Sequence, residues 1–299
     1  MKGKAIVTLA IGAAFKKRWE RLCADNWREY GEKHGCDLVI LDQPIDRSER
    51  AARRAPAWQK CLILGDPMVK KYDQVAWFDC DIFFNPLEAP NVFNEVPIEK
   101  VGAVNSFEDP SSAENKVALE RLSKLSRSSL GAPMAGAYRT PQEIYLKYGL
   151  PVTPVSVMLN GGVLVASPRH HAEIWREVYD NYDERGKPSY YENVPLSYEL
   201  ITRDLVHWLD PKFNHLWAWS KFLHYPFLEN SGRRSFRDKI LRRLAKYDGN
   251  DYEQRIAVAC ATAALLNCYC LHFAGYPSEM KWVDLKSAAA GRVCHLGVR

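Results

Sequence analysis

The sequence predicts an α/β fold: a mixed central sheet flanked by helices, with a helical C-terminal part, built as a single domain over residues 1–299. Three observations lead to it. The first forty residues alternate strand, helix and strand. A fully apolar run, Val75-Ala76-Trp77-Phe78, stops abruptly at Asp79-Cys80-Asp81. Two more short apolar runs, 100–105 and 161–166, follow at intervals that leave room for helices.

Taken in order, Ala5-Ile6-Val7-Thr8-Leu9 is short and β-branched and precedes Gly12, so it reads as the first strand. Phe15, Trp19, Leu22, Cys23, Trp27 and Tyr30 then recur at spacings of three and four, which predicts an amphipathic helix, and Gly35 stands where a helix C-cap belongs. Cys36-Asp37-Leu38-Val39-Ile40-Leu41 is the second strand. A helix is expected from Pro56, a residue suited to the first helical position, carrying Trp58, Cys61, Leu62 and Met68 toward the core. Val75 to Phe78 is a third strand and Ile82-Phe83-Phe84, closed by Asn85-Pro86, a fourth. Residues 107–156 are rich in Ser, Pro, Gly and charge and are expected to be a functional insertion rather than a plain connection.

Composition sets the outer limits. At 299 residues, 47% hydrophobic and 26% charged, the chain has the apolar mass for a sizeable core. Its eight cysteines are scattered, with no CxxC pair, which favours reduced thiols and a cytoplasmic protein over a disulfide framework, and Cys268 and Cys270 lack a second pair at zinc spacing. Lys2 and Lys4 before the apolar stretch 5–14 resemble a signal peptide, but the β-branched run within it favours a strand. No stretch reaches the apolar length of a membrane span; 256–273 comes nearest and contains Asn267 and His272.

Asp79 and Asp81 flank one residue at the end of an apolar strand. Two hard oxygen ligands at that spacing can converge on a divalent cation that bridges phosphate oxygens, and in open α/β sheets ligands gather at the carboxyl ends of strands. Alone, such a dyad is also a common solvated turn.

The dyad does not stand alone. Ile6-Val7-Thr8, Trp77-Phe78-Asp79-Cys80-Asp81, Asn160-Gly161-Gly162-Val163-Leu164, Glu192-Asn193, Asp210-Pro211-Lys212-Phe213-Asn214 and Leu271-His272-Phe273-Ala274-Gly275 followed by Lys281 occur in one order along nearly the whole chain. This set resembles the retaining nucleotide-sugar glycosyltransferases of the A-type fold, the group of glycogenin, the bacterial lipooligosaccharide galactosyltransferases and plant galactosyl- and xylosyltransferases.

The resemblance implies a metal-dependent transfer of a sugar from a nucleoside-diphosphate sugar, UDP-sugar foremost, to a glycan or glycolipid acceptor with retention. It makes His272 a third ligand, beside Asp79 and Asp81, for Mn²⁺ or Mg²⁺; a satisfied core histidine is the alternative. Gly275 would admit backbone N–H groups to a phosphate and Lys281 would face the departing diphosphate, although the six-residue step between them is longer than the family often has. Asn160, Gly161 and Gly162 would touch the donor sugar and the acceptor, or else mark a turn before a strand; two adjacent glycines weaken a strand unless something approaches its backbone. Thr8 would lie by the base and Asn105 would join the donor site from the end of its strand. Trp58-Gln59-Lys60 resembles a Trp-x-Lys of some plant members whose lysine reaches the donor; a solvated helix face is the alternative. Glu192 is the acidic residue in the right order to face the sugar, or a surface carboxylate.

Other classes fit less well. A nucleotidyltransferase would carry a Gly-rich phosphate loop near its first strand, where only Gly12 stands, and a non-catalytic nucleotide-sugar-binding protein has no use for a leaving-group metal. The net charge of +5 is accounted for by one stretch, 233–247, in which Arg233, Arg234, Arg237, Lys239, Arg242, Arg243 and Lys246 oppose only Asp238. Phe236, Ile240, Leu244 and Tyr247 add an apolar stripe at helical spacing. That pattern, inside a helical insertion over 231–262, fits a basic helix packed on the domain or one lying peripherally on an anionic membrane, and no nucleic-acid groove.

Overall fold

The computed structural model describes residues 3–108, 113–114, 116–118, 120–121, 140–152, 155–183, 191–229 and 249–293. The basic stretch 233–247 and most of the insertion 107–156 lie outside the described residues. The chain forms two compact units, one of Met1–Ile82, Pro90–Asp109 and Arg139–Asn214, the other of Phe83–Ala89, Pro110–Tyr138 and His215–Arg299.

In the first unit five of the predicted strands, joined by one the sequence did not announce, Val206–Trp208, assemble as a six-stranded mixed sheet. Its strands are β1 (Lys4–Leu9), β2 (Asp37–Leu41), β3 (Gln74–Phe78), β5 (Val101–Asn105), β6 (Leu159–Ala166) and β7 (Val206–Trp208), in the order β2-β1-β3-β6-β5-β7. β1 runs parallel to β2 and β3, whereas β6 is antiparallel to both β3 and β5. This mixture positions the site. The carboxyl end of β3 lies against the start of β6, with Phe78 opposite Val163 and the Asp79 N–H donating to the Gly162 carbonyl at 2.9 Å. The end of β5 lies against the same place, Asn105 opposite Leu159.

The predicted first helix is two helices, α1 (Ala13–Leu22) and α2 (Ala24–His34), parted at Cys23, and α2 ends as expected on Gly35 at φ 64. Trp19, Cys23, Trp27 and Tyr30 are buried, but Phe15 is 52% exposed, because α1 turns its first residues to solvent. The helix expected from Pro56 is a ten-residue 3-10 segment, Pro56–Gly65, preceded by a one-turn helix α3 (Glu49–Ala52). All of residues 58–64 are buried, since the segment packs between the sheet core and α5 (Pro168–Asn181). Met68 does not reach the core: it follows a turn in which its N–H donates to Asp66, and it stays 54% exposed while Val69 takes the buried place.

The described end of the insertion is ordered by sequence-local means. Helix α4 (Pro141–Lys147) carries a full capping box between Thr140 and Glu143, and Ile144, Tyr145 and Tyr148 pack in a cluster with Met158 and Val194 on α6 (Asn193–Thr202).

The second unit holds a three-stranded sheet in the order β4-β9-β8, formed by β4 (Ile82–Phe84), β9 (Cys270–His272) and β8 (His215–Leu216). Around it lie α7 (Trp217–His224), α8 (Gly249–Leu266) and α9 (Leu285–Ala289). Asn85 fastens β4: its amide donates to the carbonyls of Leu265, Leu266 and Cys268 at the end of α8, while its Oδ1 accepts from Leu87 and Glu88. Among the described residues no helix is long and apolar enough to cross a membrane, and the cysteines form no disulfide.

Candidate active site

At the end of β3, the first unit gathers charge in its interior. Lys60, from the buried 3-10 segment, sets its Nζ 2.8 Å from Glu192 Oε1 and 3.4 Å from Asp79 Oδ1, and donates to the Gly161 carbonyl at 2.9 Å. Its ammonium also lies 5.1 Å from the centre of the Trp77 ring. Trp77 in turn donates its indole N–H to Asp79 Oδ1 at 2.8 Å. The solvated-face reading of Lys60 and the surface reading of Glu192 are therefore both set aside. Their side chains are 6% and 3% exposed against 31% for Asp79, so the cluster opens to solvent through Asp79.

The electrostatics follow from burial. Enclosure works against the Lys60 ammonium, but the Asp79 and Glu192 carboxylates outweigh it and hold its pKa above the ordinary lysine value. For Glu192 burial dominates and raises the carboxyl pKa; Lys60 opposes that rise, and Asp79 adds to it. Two carboxylates around one ammonium leave the cluster with an excess negative charge facing its open side, a setting suited to a cation or to developing positive charge.

Local backbone fixes these positions. Glu192 stands directly before α6, and the preceding Tyr191 holds the left-handed conformation at φ 40, uncommon for a bulky residue. Its carbonyl accepts from the Tyr148 hydroxyl at 2.9 Å, so the ordered end of the insertion braces the turn that delivers Glu192. Gly161 is required for a steric reason the sequence did not disclose. A Cβ there would lie 2.6 Å from Asn193 Oδ1 and 3.3 Å from Lys60 Nζ, and Asn193 is tied by its amide to the Leu159 carbonyl at 3.0 Å. Gly161→Ala is expected to displace Asn193 and push Lys60 from its pocket, lowering stability by about 1–3 kcal/mol as overpacked substitutions do. A thermal melt checks it, and a variant as stable as the parent would show that the pocket has slack.

The remaining expected residues divide. Asn160 and Asn105 sit at the same end of the sheet, but both side chains serve the local backbone, accepting from the N–H groups of Gly162 and Phe107. Thr8 is enclosed within β1, and among the described residues its hydroxyl has no hydrogen-bond partner. Asp81 is partly exposed just before β4. In the second unit His272 ends β9 and is 3% exposed, Gly275 has φ 77, and Lys281 is exposed on a 3-10 turn, Met280–Trp282. Trp77, Tyr148 and Asn193 were not singled out from sequence as site residues. Their contacts join positions far apart in the chain or depend on a neighbour's rotamer, so only the motifs that hold Trp77 beside the dyad and Asn193 beside Glu192 left a trace.

No family model matches the chain, and no curated protein does. Among solved structures, it is similar to a glycosyltransferase involved in glycosylation of the major capsid of PBCV-1, at 12% identity and a TM-score of 0.48, covering 94% of this chain and 100% of that one. It is similar to galactosyltransferase LgtC in complex with donor and acceptor sugar analogs, at 12% identity and a TM-score of 0.46, covering 98% of each chain. A third is mouse xyloside xylosyltransferase 1, at 10% identity and a TM-score of 0.36, covering 78% of this chain and 94% of that one.

Proposed function

We propose that the chain is a metal-dependent glycosyltransferase that moves a sugar from a nucleoside-diphosphate sugar, with UDP as the nucleotide, to a glycan or glycolipid acceptor with retention. The observation that carries this reading is the buried Lys60–Glu192 pair set against Asp79 at the carboxyl end of β3, with Asp81 two residues on. A buried ion pair of this kind is poor economy for stability alone, and its net negative charge opens at the strand end where α/β sheets take their ligands.

Asp79, Asp81 and His272 are the ligand set proposed for the cation. The support is chemical and topological. Two carboxylates and an imidazole suit Mn²⁺ or Mg²⁺; β4 starts at the residue after Asp81, and its neighbour in the three-stranded sheet, β9, ends on His272. Bound there, the ion would neutralise charge on the departing diphosphate. The chain's own residues do the rest. Lys60 holds Asp79 and Glu192 in fixed positions, and the negative field of the pair favours oxocarbenium-like charge on the sugar as its bond to phosphate breaks. Gly161 and Gly162 are proposed to stand beside the sugar, the space over Gly161 being kept for Lys60 and Asn193, with Asn160 at the same end of the strand. The reading extends to a cytoplasmic protein that meets an anionic membrane peripherally through 233–247.

The test is a screen of nucleotide sugars for slow hydrolysis, transfer to water, in Mn²⁺ or Mg²⁺. One UDP-sugar is expected to be consumed, a chelator to stop the reaction, and NMR of the freshly released sugar to show the donor's anomeric configuration. If no nucleotide sugar is consumed and none binds in either metal, the reading is wrong.

A further inference from the structure

The second unit contains a charge cluster of its own, built on the segment that follows His272. From Phe273 to Val283 the chain descends through consecutive tight turns: the N–H of Tyr276 donates to Phe273, that of Glu279 to Tyr276 and that of Trp282 to Glu279, at 2.8, 2.9 and 2.9 Å. Gly275, at φ 77, takes the third place of the first turn, where a type II turn demands positive φ and hence glycine. Gly275 and Lys281 thus stand at opposite ends of a loop with Glu279 in its middle.

Glu279 is held from below. Trp217 and Lys221, one turn apart on α7 and so on one face of it, each take one of its oxygens: the indole N–H donates to Oε2 and the ammonium to Oε1, both at 2.6 Å. Lys221 is 3% exposed and Glu279 14%, so this is a buried pair. The same ammonium lies 4.7 Å from the centre of the Tyr276 ring and 5.9 Å from that of Trp282, two more residues of the loop. One lysine therefore grips the loop at three points, each within a few residues of Gly275 or Lys281.

We infer that Glu279, clamped by Trp217 and Lys221, is a positioning residue that fixes the Gly275–Lys281 loop as a preformed cradle for the β-phosphate of the donor. The inference rests on the proposed function, and it explains the long step from Gly275 to Lys281: extra loop length without an anchor spreads the lysine over many positions, and the anchor removes that freedom before the ligand arrives. Glu279 itself touches no phosphate; it acts through the backbone of Gly275 and the ammonium of Lys281.

The experiment compares UDP with UMP, which lacks the β-phosphate, by calorimetry in Mn²⁺. The wild-type protein is expected to prefer UDP, and Glu279→Gln, which keeps the shape but loses the charge that holds Lys221, to lose about tenfold of that preference while UMP affinity stays within about twofold. Lys221→Arg is expected to retain most of the preference. Should Glu279→Gln fail to fold, Trp217→Phe, which removes a single donor, is expected to shift the preference in the same direction by about threefold. A folded Glu279→Gln, or in its place Trp217→Phe, with an unchanged UDP to UMP ratio overturns the inference and leaves the proposed function standing. A wild-type protein that binds neither nucleotide in Mn²⁺ or Mg²⁺ overturns both.

Discussion

Replacing Lys60 by methionine is expected to cut sugar transfer by about 100-fold or more and to lower stability by about 3 kcal/mol. The two effects have one origin. Lys60 is the ammonium between Glu192 at 2.8 Å and Asp79 at 3.4 Å, and Met fills its stem but leaves both carboxylates facing each other. Breaking a buried pair from one side costs more than removing it whole, because the surviving charge keeps its desolvation penalty. Glu192, whose pKa burial already raises, would rise further and take up a proton. A carboxyl raised above its unfolded value binds more protons in the folded state, so stability falls as pH climbs. The Lys60→Met deficit should thus be smallest at acidic pH and widen toward neutrality. Adding Glu192→Leu is expected to recover much of the stability without recovering transfer. Melts and donor hydrolysis on the two proteins separate the roles: a folded Lys60→Met with near-parental activity would leave the cluster as mere architecture.

That cluster shows where sequence reading reaches and where it stops. The strands were legible because β-branched and aromatic runs with sharp ends have few other uses, and β1, β2, β3, β5 and β6 fall where those runs lie. The end of α2 was legible because Gly35 takes φ 64, which other residues avoid. Lys60 was not. It sits in a 3-10 segment in which 58–64 are all buried, so no polar face survives for periodicity to detect, and a lysine in such a run looks like the edge of a solvated helix. Phe15 and Met68 failed in the opposite sense: spacing marked them as core, yet the break at Cys23 and the turn at Asp66 leave them in solvent. The Gly161-Gly162 pair announced a close approach but not what approaches; the space at Gly161 is taken by Asn193 and Lys60. Trp217, Lys221 and Glu279 left no signal, since a contact across 58 residues has no local pattern.

Asp81→Ala is expected to lower metal-dependent transfer on the order of 10³-fold while leaving the melting temperature within about a degree of the parent. The contrast follows from where the two aspartates stand. Asp79 is built into the fold: its carboxylate accepts from Trp77 and faces Lys60, so Asp79→Ala is expected to destabilise as well as inactivate. Asp81 is partly exposed at the mouth of β4, where removing a carboxylate disturbs little packing. Its proposed work is on the cation. Charge neutralisation by a bound ion is worth several kcal/mol at the transition state, and about 4 kcal/mol corresponds to three powers of ten in rate. Calorimetric titration with Mn²⁺ in the presence of UDP should show the metal affinity lost in step with the rate, and raising the metal concentration should restore part of both. If a folded Asp81→Ala kept its metal affinity and its rate, the carboxylate would be no ligand, and the metal would have to be sought without it.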